Sequence, residues 1–300
     1  MQNLLIGFIL GMLGPLKTGV NLRLGKVVNS LALTAFSTFF GSVFLLLPVN
    51  YLVEGRFFRN ILKGTPLPWW GYLAGILAAL AVMMNSFLFR RLGSMLTISL
   101  AGFAQLATGL LIDSLGLFAA KVVVLSPLKI FGVLIASMGI YMVISKSDLD
   151  FKRAKYILLA LVEGVILGLS AAINSYVGVQ VDSVGTASLL SLIVASAFLL
   201  VIIILKADWR KLAKLNGAKL PWWSFSGGVC EAANTYLQVK IVPLIGNSRL
   251  ALWTLIGKVM LGLVISKKLT NNWIYTNKNE LLGLFLLLLG TILVEIAVNF

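Results

Sequence analysis

Hydrophobic residues fill most of the chain in long runs, which short polar segments separate. Ten of these runs have about 20 residues, long enough to cross roughly 30 Å of hydrocarbon as α-helices. They cover residues 3–22, 31–53, 68–88, 94–112, 125–145, 156–177, 184–205, 221–241, 248–266 and 281–298. The pattern therefore predicts an all-α integral membrane protein with ten transmembrane helices.

The second half of the sequence repeats features of the first. The tripeptide Pro-Trp-Trp at 68–70 returns at 221–223, which is 153 residues later. Further matches at the same spacing are Gly11 and Gly164, Asn21 and Asn174, Ser30 and Ser183, Gly75 and Gly228, Gly93 and Gly246, and Gly109 and Gly262. Self-similarity at a fixed spacing indicates repeated structural units. We therefore predict two five-helix repeats, over residues 1–150 and 151–300.

The odd number of helices in each repeat determines how the repeats relate to the membrane. A second copy of five helices must enter the bilayer from the side opposite to the first. The two copies are then inverted repeats about a pseudo-two-fold axis in the membrane plane. This arrangement is typical of secondary transporters, whose substrate site lies between the repeats near the midplane.

Composition supports a membrane protein and narrows its chemistry. Hydrophobic residues make up 59% of the 300 residues, and the mean hydropathy is +0.99. The net charge of +15 comes mostly from Lys and Arg in short loops, which favours membrane orientation and anionic lipids over nucleic acid as its explanation. The first apolar run lacks a basic leader, so we do not expect it to be a cleaved signal peptide.

The sequence carries few residues for catalysis. It contains no histidine, and Cys230 is its only cysteine, so it predicts no metal site and no internal disulfide. It also shows no nucleophile–base pair and no glycine-rich phosphate loop. We therefore expect neither an enzyme nor an ATP-driven pump, and we predict no cofactor.

Four stretches carry a resemblance to a known family. They are "GPLKTGVNLRLG", "PWWGYLAGILA", "GFAQLATGLLIDSLGLF" and "SPLKIFG", and they resemble the YdcZ-like family of the drug/metabolite transporter superfamily. Members are commonly single five-helix chains, so this chain resembles a fused pair over nearly its whole length. The resemblance implies an integral membrane transporter of small metabolites or drugs.

Two positions depart from the family pattern. Where the family tends to carry Gln in its first helix, this chain has Lys17 in one repeat and Ser170 in the other. The family Gln of the fourth helix remains as Gln105, but its counterpart is Lys258. Two neutral positions are therefore cationic here, so we do not expect a family substrate to carry over to this chain.

Four charged residues lie well inside predicted spans. They are Lys17, Glu163, Glu231 and Lys258. A charged side chain at the centre of a membrane helix costs about 2.5–3.5 kcal/mol on insertion scales, so such residues are usually functional. Two alternatives stay open: the side chains reach the membrane interface, or Lys–Glu pairs only fasten helices together.

Polar residues at helical spacing share faces with these charges. The stripes are Gly14, Lys17 and Asn21 in the first helix, Gln105 and Thr108 in the fourth, Glu163, Ser170 and Asn174 in the sixth, Gly227, Glu231, Asn234 and Gln238 in the eighth, and Thr254 and Lys258 in the ninth. Because polar stripes facing lipid would be costly, we expect them to face each other and water. The predicted substrate and coupling cavity comprises Lys17, Asn21, Gln105, Glu163, Ser170, Asn174, Glu231, Asn234, Gln238, Thr254 and Lys258. Asn and Gln can alternatively serve as hydrogen-bond partners between helices.

Local signals predict a few further features. Pro15 predicts a kink or a local break in the first helix. Ser30 and Ser183 precede equivalent helices and predict N-caps. Asp113 and Glu295 lie near span ends, so we expect them in the headgroup region.

Basic residues are distributed unequally between the two sides. Ten spans place both termini on one side, which carries seven Lys and Arg residues, whereas the opposite side carries sixteen. The positive-inside rule makes the richer side cytoplasmic and predicts both termini outside the cell membrane. Relatives with ten helices usually have cytoplasmic termini, so the resemblance implies the opposite orientation.

The sequence thus favours a secondary transporter of a small polar or amphipathic metabolite or drug, with protons as candidate coupling ions. One alternative is a flippase for an amphipathic or lipid-linked anion. Another is a non-transporting membrane assembly subunit, in which the buried charges pair with each other. We expect a small-molecule substrate and membrane lipids as partners, and a homodimer is compatible with the sequence.

Overall fold

A computed structural model describes residues 2–55, 67–120, 122–123, 126–144, 151–217, 222–270 and 278–296. Over these residues the chain forms ten α-helices and no strand. They are α1 (Gln2–Val28), α2 (Leu31–Glu54), α3 (Leu73–Leu92), α4 (Ser94–Leu115), α5 (Pro127–Ile144), α6 (Phe151–Gln180), α7 (Val184–Leu205), α8 (Gly227–Ile245), α9 (Asn247–Thr270) and α10 (Lys278–Ile296). Each predicted span corresponds to one helix, so the all-α prediction with ten helices is confirmed.

Several of these helices are suited to crossing a bilayer. Within the described ranges six segments are long and apolar enough: Gln2–Val28, Leu31–Glu54, Trp69–Leu92, Ser94–Leu115, Arg153–Gln180 and Val184–Leu205. Pro127–Met142 and Leu282–Ile296 are shorter apolar helices. The mean hydropathy of α8 is lowered by the charged and amide side chains of its predicted stripe, Glu231, Asn234 and Gln238.

The Pro-Trp-Trp repeats form the same local structure. Trp69–Tyr72 and Trp222–Phe225 each fold into a short 3-10 helix. The α-helices α3 and α8 therefore begin later than the predicted spans. Pro221 lies outside the described residues, whereas Pro68 has an extended backbone that leads into its 3-10 turn. A proline lacks the backbone N–H of a helix interior, so it fits this entry position.

The helix starts of α2 and α7 confirm both predicted caps. The Ser30 hydroxyl accepts a hydrogen bond from the Leu33 N–H at 3.2 Å, and the Ser183 hydroxyl accepts one from the Thr186 N–H at 2.9 Å. Each satisfies a backbone donor that has no partner within its own helix. The helix α1 continues through Pro15 without a break.

The chain divides into two compact units. One unit comprises Met1–Met12, Leu88–Gly168 and Ile245–Phe300, and the other comprises Leu13–Phe87 and Leu169–Leu244. We call them the 4/9 unit and the 2/7 unit, after the α4–α9 and α2–α7 pairs that they contain. Each unit takes helices from both halves of the sequence, and the division into repeats at residue 150 stays a prediction.

Within each unit, equivalent helices of the two halves pack against each other. In the 4/9 unit α4 packs on α9 and α5 packs on α10, and in the 2/7 unit α2 packs on α7. The α5–α10 contacts show the direction, because Gly132 meets Gly290 whereas Gly139, further along α5, meets the earlier residue Gly283. The helices of this pair are antiparallel, as an axis in the membrane plane requires for two inverted copies.

The other two pairs show the same direction. In the 4/9 unit Gly102 lies against Leu255, whereas Gly109 lies against Ser248. In the 2/7 unit the carboxylate of Glu54, at the end of α2, accepts a hydrogen bond from the Gly185 N–H at the start of α7 at 3.1 Å. The antiparallel packing of equivalent helices therefore recurs in both units.

Glycines at the repeat spacing mark equivalent helix crossings in the 2/7 unit. A Cβ on Gly75 of α3 would overlap the Ser191 carbonyl oxygen of α7, and a Cβ on Gly228 of α8 would press against the backbone of Gly41 and Ser42 in α2. Glycine at these positions lets the backbones approach closely, which is how membrane helices pack. Both crossings bring a helix that carries polar residues onto the α2–α7 pair.

Candidate functional site

A buried ion pair connects α1 and α8 in the 2/7 unit. The Lys17 ammonium donates a short hydrogen bond to Oε2 of Glu231. The side chain of Lys17 is 14% exposed and that of Glu231 is 4% exposed. Because a buried charge is costly unless it is paired, the contact explains how two opposite charges are accommodated inside apolar helices.

Polar residues next to Lys17 along α1 make further hydrogen bonds to other helices of the 2/7 unit. The Thr18 hydroxyl, next to Lys17, donates to Oδ1 of Asn85 in α3 at 2.8 Å. One turn further along α1, Oδ1 of Asn21 accepts from the Thr38 hydroxyl of α2 at 2.8 Å. Polar side chains of α1 thus contact α2, α3 and α8; stripes were predicted for α1 and α8, but not for α2 or α3.

Small residues at the start of α8 bring Glu231 close to α1. A Cβ on Gly227 would come within 2.8 Å of Oδ1 of Asn21, so a larger residue would displace the Asn21 amide. The Ser42 hydroxyl of α2 donates to the Gly228 carbonyl at 2.9 Å. Glu231 follows one turn later and therefore lies on the face of α8 that meets α1.

The second repeat uses its equivalent positions differently. Ser170, the counterpart of Lys17, is buried and donates to the Ala74 carbonyl of α3 at 2.9 Å. Asn174, the counterpart of Asn21, is 3% exposed, and its Oδ1 has no hydrogen-bond partner among the described residues. Equivalent positions of the two repeats therefore differ in their contacts. Lys17 forms an ion pair, whereas Ser170 bonds to a backbone carbonyl.

The other predicted cation lies in the 4/9 unit. The Lys258 ammonium of α9 donates to Oε1 of Gln105 in α4 at 2.9 Å. These two residues are 153 positions apart, so each is the repeat counterpart of the other. Their contact lies where the antiparallel α4–α9 pair crosses.

The remaining predicted residues have varied surroundings. Glu163 of α6 is fully buried in the 4/9 unit. The Thr254 hydroxyl donates to the carbonyl of Ala251 in its own helix at 2.9 Å. Asn234 and Gln238 of α8 are partly exposed. The structure therefore brings together Lys17 with Glu231 and Gln105 with Lys258, one pair in each unit.

Sequence reasoning missed two polar residues beside the ion pair. Thr18 and Asn85 carry no charge and lie outside the predicted stripes. A signal for Asn85 was available, because it lies 153 residues before Gln238, which the stripe of α8 includes. A polar residue at both copies of one position is informative in a membrane helix.

Asp113 is buried beside another helix. We expected it in the headgroup region because it lies near the end of α4, and the structure adds that it is 1% exposed and packs against the first turn of α9. Its carboxylate accepts hydrogen bonds from the backbone N–H groups of Asn247 at 3.1 Å and Ser248 at 2.8 Å. The cause is tertiary, since antiparallel packing places the end of α4 beside the first turn of α9, where a carboxylate is stabilised.

Glu295 forms an ion pair in the 4/9 unit. The Arg249 guanidinium donates through Nε to Oε2 at 3.1 Å and through Nη2 to Oε1 in a short hydrogen bond. Such a bidentate contact fixes the geometry of both side chains, so it holds α9 against α10.

The helical repeats and the apolar helices of membrane-spanning length define a multi-pass membrane protein of the two-repeat class. The sequence model of a family described as "Putative inner membrane exporter, YdcZ" matches residues 3–142 and matches again at residues 155–293. The chain therefore belongs to this YdcZ family of the drug/metabolite transporter superfamily, as a fused pair of family units in the inner, or plasma, membrane.

The fold also has a relative among solved structures. A chain titled only "Crystal structure of protein" matches with a TM-score of 0.63 at 13% sequence identity. The match covers 99% of this chain and 96% of that chain. At this identity the likeness concerns the fold alone. The comparison with curated proteins found no match.

Proposed function

We propose that the chain is a secondary transporter that exports a small polar or amphipathic metabolite or drug by alternating access. The observation that supports this function best is the buried Lys17–Glu231 pair with its surrounding polar network. A purely structural membrane bundle gains little from such a pair, since well-packed apolar residues stabilise as well or better. The description of the family as exporters supports the direction.

In the proposed cycle the ion pair is the resting contact of the site. An anionic group of the substrate binds the Lys17 ammonium and displaces the Glu231 carboxylate. A carboxylate that loses its cation inside the bilayer is costly as an anion, so Glu231 then takes up a proton. Substrate and proton are thereby bound together at one site, which couples the movement of the substrate to the movement of a proton.

Neighbouring polar groups would orient the substrate in this site. Asn174 supplies an acceptor oxygen with no hydrogen-bond partner among the described residues. Asn85, Asn234 and Gln238 supply further amide groups. In the 4/9 unit we propose Gln105, Glu163, Thr254 and Lys258 as a second polar set that serves the substrate or the coupling ion.

The first experiment is a thermal-shift screen of the purified protein against metabolites, since a ligand that binds only the folded state raises apparent stability. Transport of a hit is then measured in proteoliposomes with an imposed pH gradient. Glu231→Gln should abolish gradient-driven accumulation but retain exchange of labelled for unlabelled substrate. Glu163→Gln tests the second carboxylate, and Glu295→Gln, which lies in the Arg249 pair, is the matched control. If accumulation survives in both Glu231→Gln and Glu163→Gln, proton coupling through these residues is wrong.

Substrate preference tests the two lysines. Lys17→Gln and Lys258→Gln restore the residue that the family tends to carry, so each variant should insert normally but change affinity or selectivity for the hit. Unchanged affinity and selectivity in both variants would mean that the lysines only fasten helices. Lipid-linked ligands, and no soluble ones, among the hits would instead favour the flippase.

We also propose that both termini lie outside the cell, from the excess of basic residues on the opposite side. Single cysteines at two exposed positions, Lys206 and Lys240, test this orientation after Cys230 is replaced. In intact cells an impermeant thiol reagent should label the cysteine at 240 and leave the cysteine at 206 unmodified. The reverse labelling pattern would invert the topology.

A further inference from the structure

A basic segment follows α7 in the 2/7 unit. It covers residues 206–212. Lys206 is the C-cap of α7, and residues 208–212 are the first half of a 3-10 helix, Asp208–Gly217. The last residue of α7, Leu205, is 80% exposed, as expected for a side chain in the hydrocarbon. The segment begins directly after it, so it lies at the boundary between hydrocarbon and headgroups.

One face of this segment is fixed to the rest of the 2/7 unit. Oδ2 of Asp208 accepts a short hydrogen bond from the Ser30 hydroxyl. The Lys211 ammonium lies 2.6 Å from Oδ1 of Asp208 and donates to the Asn29 carbonyl at 3.2 Å. The segment is thus held against the turn between α1 and α2, and the charges of Asp208 and Lys211 balance each other.

The exposed side chains of the segment are apolar and cationic. Trp209 is 54% exposed and Leu212 is 46% exposed. Residues three apart lie on one side of a 3-10 helix, so these two form one apolar stripe. Lys206 and Arg210 are also exposed, and they are the cations that the Asp208–Lys211 pair leaves unbalanced.

The Arg210 side chain is positioned for an anionic group. Its guanidinium carbon lies 5.4 Å from the centre of the Trp209 ring. A guanidinium stacked on a ring keeps its N–H donors in the plane, where they can bind two oxygens of one phosphate. Trp is itself enriched at the membrane–water interface.

We propose that residues 206–212 form a docking site for anionic phospholipid headgroups. Trp209 and Leu212 insert beside the upper acyl chains, while Arg210 and Lys206 bind the lipid phosphate. The site is independent of the transport site and of the orientation of the protein. It depends on charge complementarity and on the fixed depth at which α7 ends.

Brominated lipids test this site in the full-length protein. The protein is reconstituted into phosphatidylcholine vesicles that contain an equal mole fraction of brominated phosphatidylglycerol or brominated phosphatidylcholine. The contribution of Trp209 is the difference in fluorescence quenching between wild type and Trp209→Phe. We expect stronger quenching by the brominated phosphatidylglycerol, with a preference that weakens as salt is added.

The variant Lys206→Gln/Arg210→Gln should lower the relative affinity for phosphatidylglycerol, by about five-fold for each cation removed. Arg90→Gln removes an exposed cation at the end of α3 and is the matched control, which should keep the preference. Equal quenching by the two lipids would overturn the proposal. An equal loss of preference in Arg90→Gln would also overturn the proposal, because the lipid would then respond to a diffuse potential. Loss of the preference in millimolar inorganic phosphate would overturn it as well, because the ligand would then be a free ion.

Discussion

Separate and combined neutralisation of Lys17 and Glu231 tests the buried ion pair as an energetic unit. Lys17→Gln leaves the Glu231 carboxylate, whose side chain is 4% exposed, without its cation. Removing one partner of a buried pair typically costs about 3–5 kcal/mol, because it leaves an uncompensated charge. The Thr235 hydroxyl, 3.5 Å from Oε1 of Glu231, is too distant to compensate.

The two single variants should differ in a defined order. Glu231→Gln leaves the Lys17 cation, whose side chain is 14% exposed and whose long stem can move the charge towards water. Glutamate is shorter, so it has less freedom to do this. We therefore expect Lys17→Gln to lower the free energy of unfolding more than Glu231→Gln. The double variant leaves two neutral amides and should cost far less than the sum of the single variants.

Reversible unfolding of the purified protein in mixed micelles measures all four free energies at neutral pH. The control cycle uses Arg249→Gln and Glu295→Gln, because the side chains of that pair are 24% and 12% exposed. A more exposed pair should give a smaller coupling energy. Single-variant losses below about 1 kcal/mol would refute the burial reasoning, and so would effects at Lys17 and Glu231 that add within about 0.5 kcal/mol.

The remaining predictions concern packing, capping and pH. Gly75→Ala should destabilise by about 1–3 kcal/mol because its Cβ overlaps the Ser191 carbonyl, whereas Gly19→Ala, whose Cβ meets nothing within 4 Å, should not destabilise; unfolding in micelles compares the two. Asp113→Ala should cost about 1–3 kcal/mol and raise hydrogen exchange in the first turn of α9, because it removes a buried cap. Burial alone would raise the pKa of Asp208, but hydrogen bonds from Lys211 and Ser30 outweigh it and hold this pKa below 3.8; its contribution is therefore present above pH 3.8 and lost as the pH falls through the lower folded value. The melting temperatures of wild type and Asp208→Asn should accordingly differ at neutral pH and converge in acid.

Two of the departures from the family pattern become clearer in the structure. Lys17 has an acidic partner in α8, whereas its counterpart Ser170 bonds to a backbone carbonyl of α3. Lys258 instead meets Gln105, the residue at its own position in the other repeat. Lys17 and Lys258 therefore have different chemical surroundings, although the sequence pattern alone treats the two lysines alike.

Local and periodic properties of the chain were readable from its sequence. Apolar runs of bilayer length predicted every helix, because each membrane helix satisfies its own backbone hydrogen bonds and needs no neighbour to exist. The recurring Pro-Trp-Trp predicted the repeat, whereas the short 3-10 helices that both copies form were seen only in the structure. Ser30 and Ser183 predicted their caps because a cap acts on backbone groups only two or three residues away.

The partner of each side chain was decided only by the tertiary structure. A polar stripe shows that one helix face avoids lipid, but it does not show which helix lies opposite. Lys17 and Glu231 are 214 positions apart, and their contact depends on how closely Gly227 and Gly228 let α8 approach α1 and α2. The sequence shows that Asp113 lies near the end of a span. It does not show that antiparallel packing places the start of α9 beside this carboxylate. Such contacts depend on distances between helices, which a sequence pattern within one helix cannot contain.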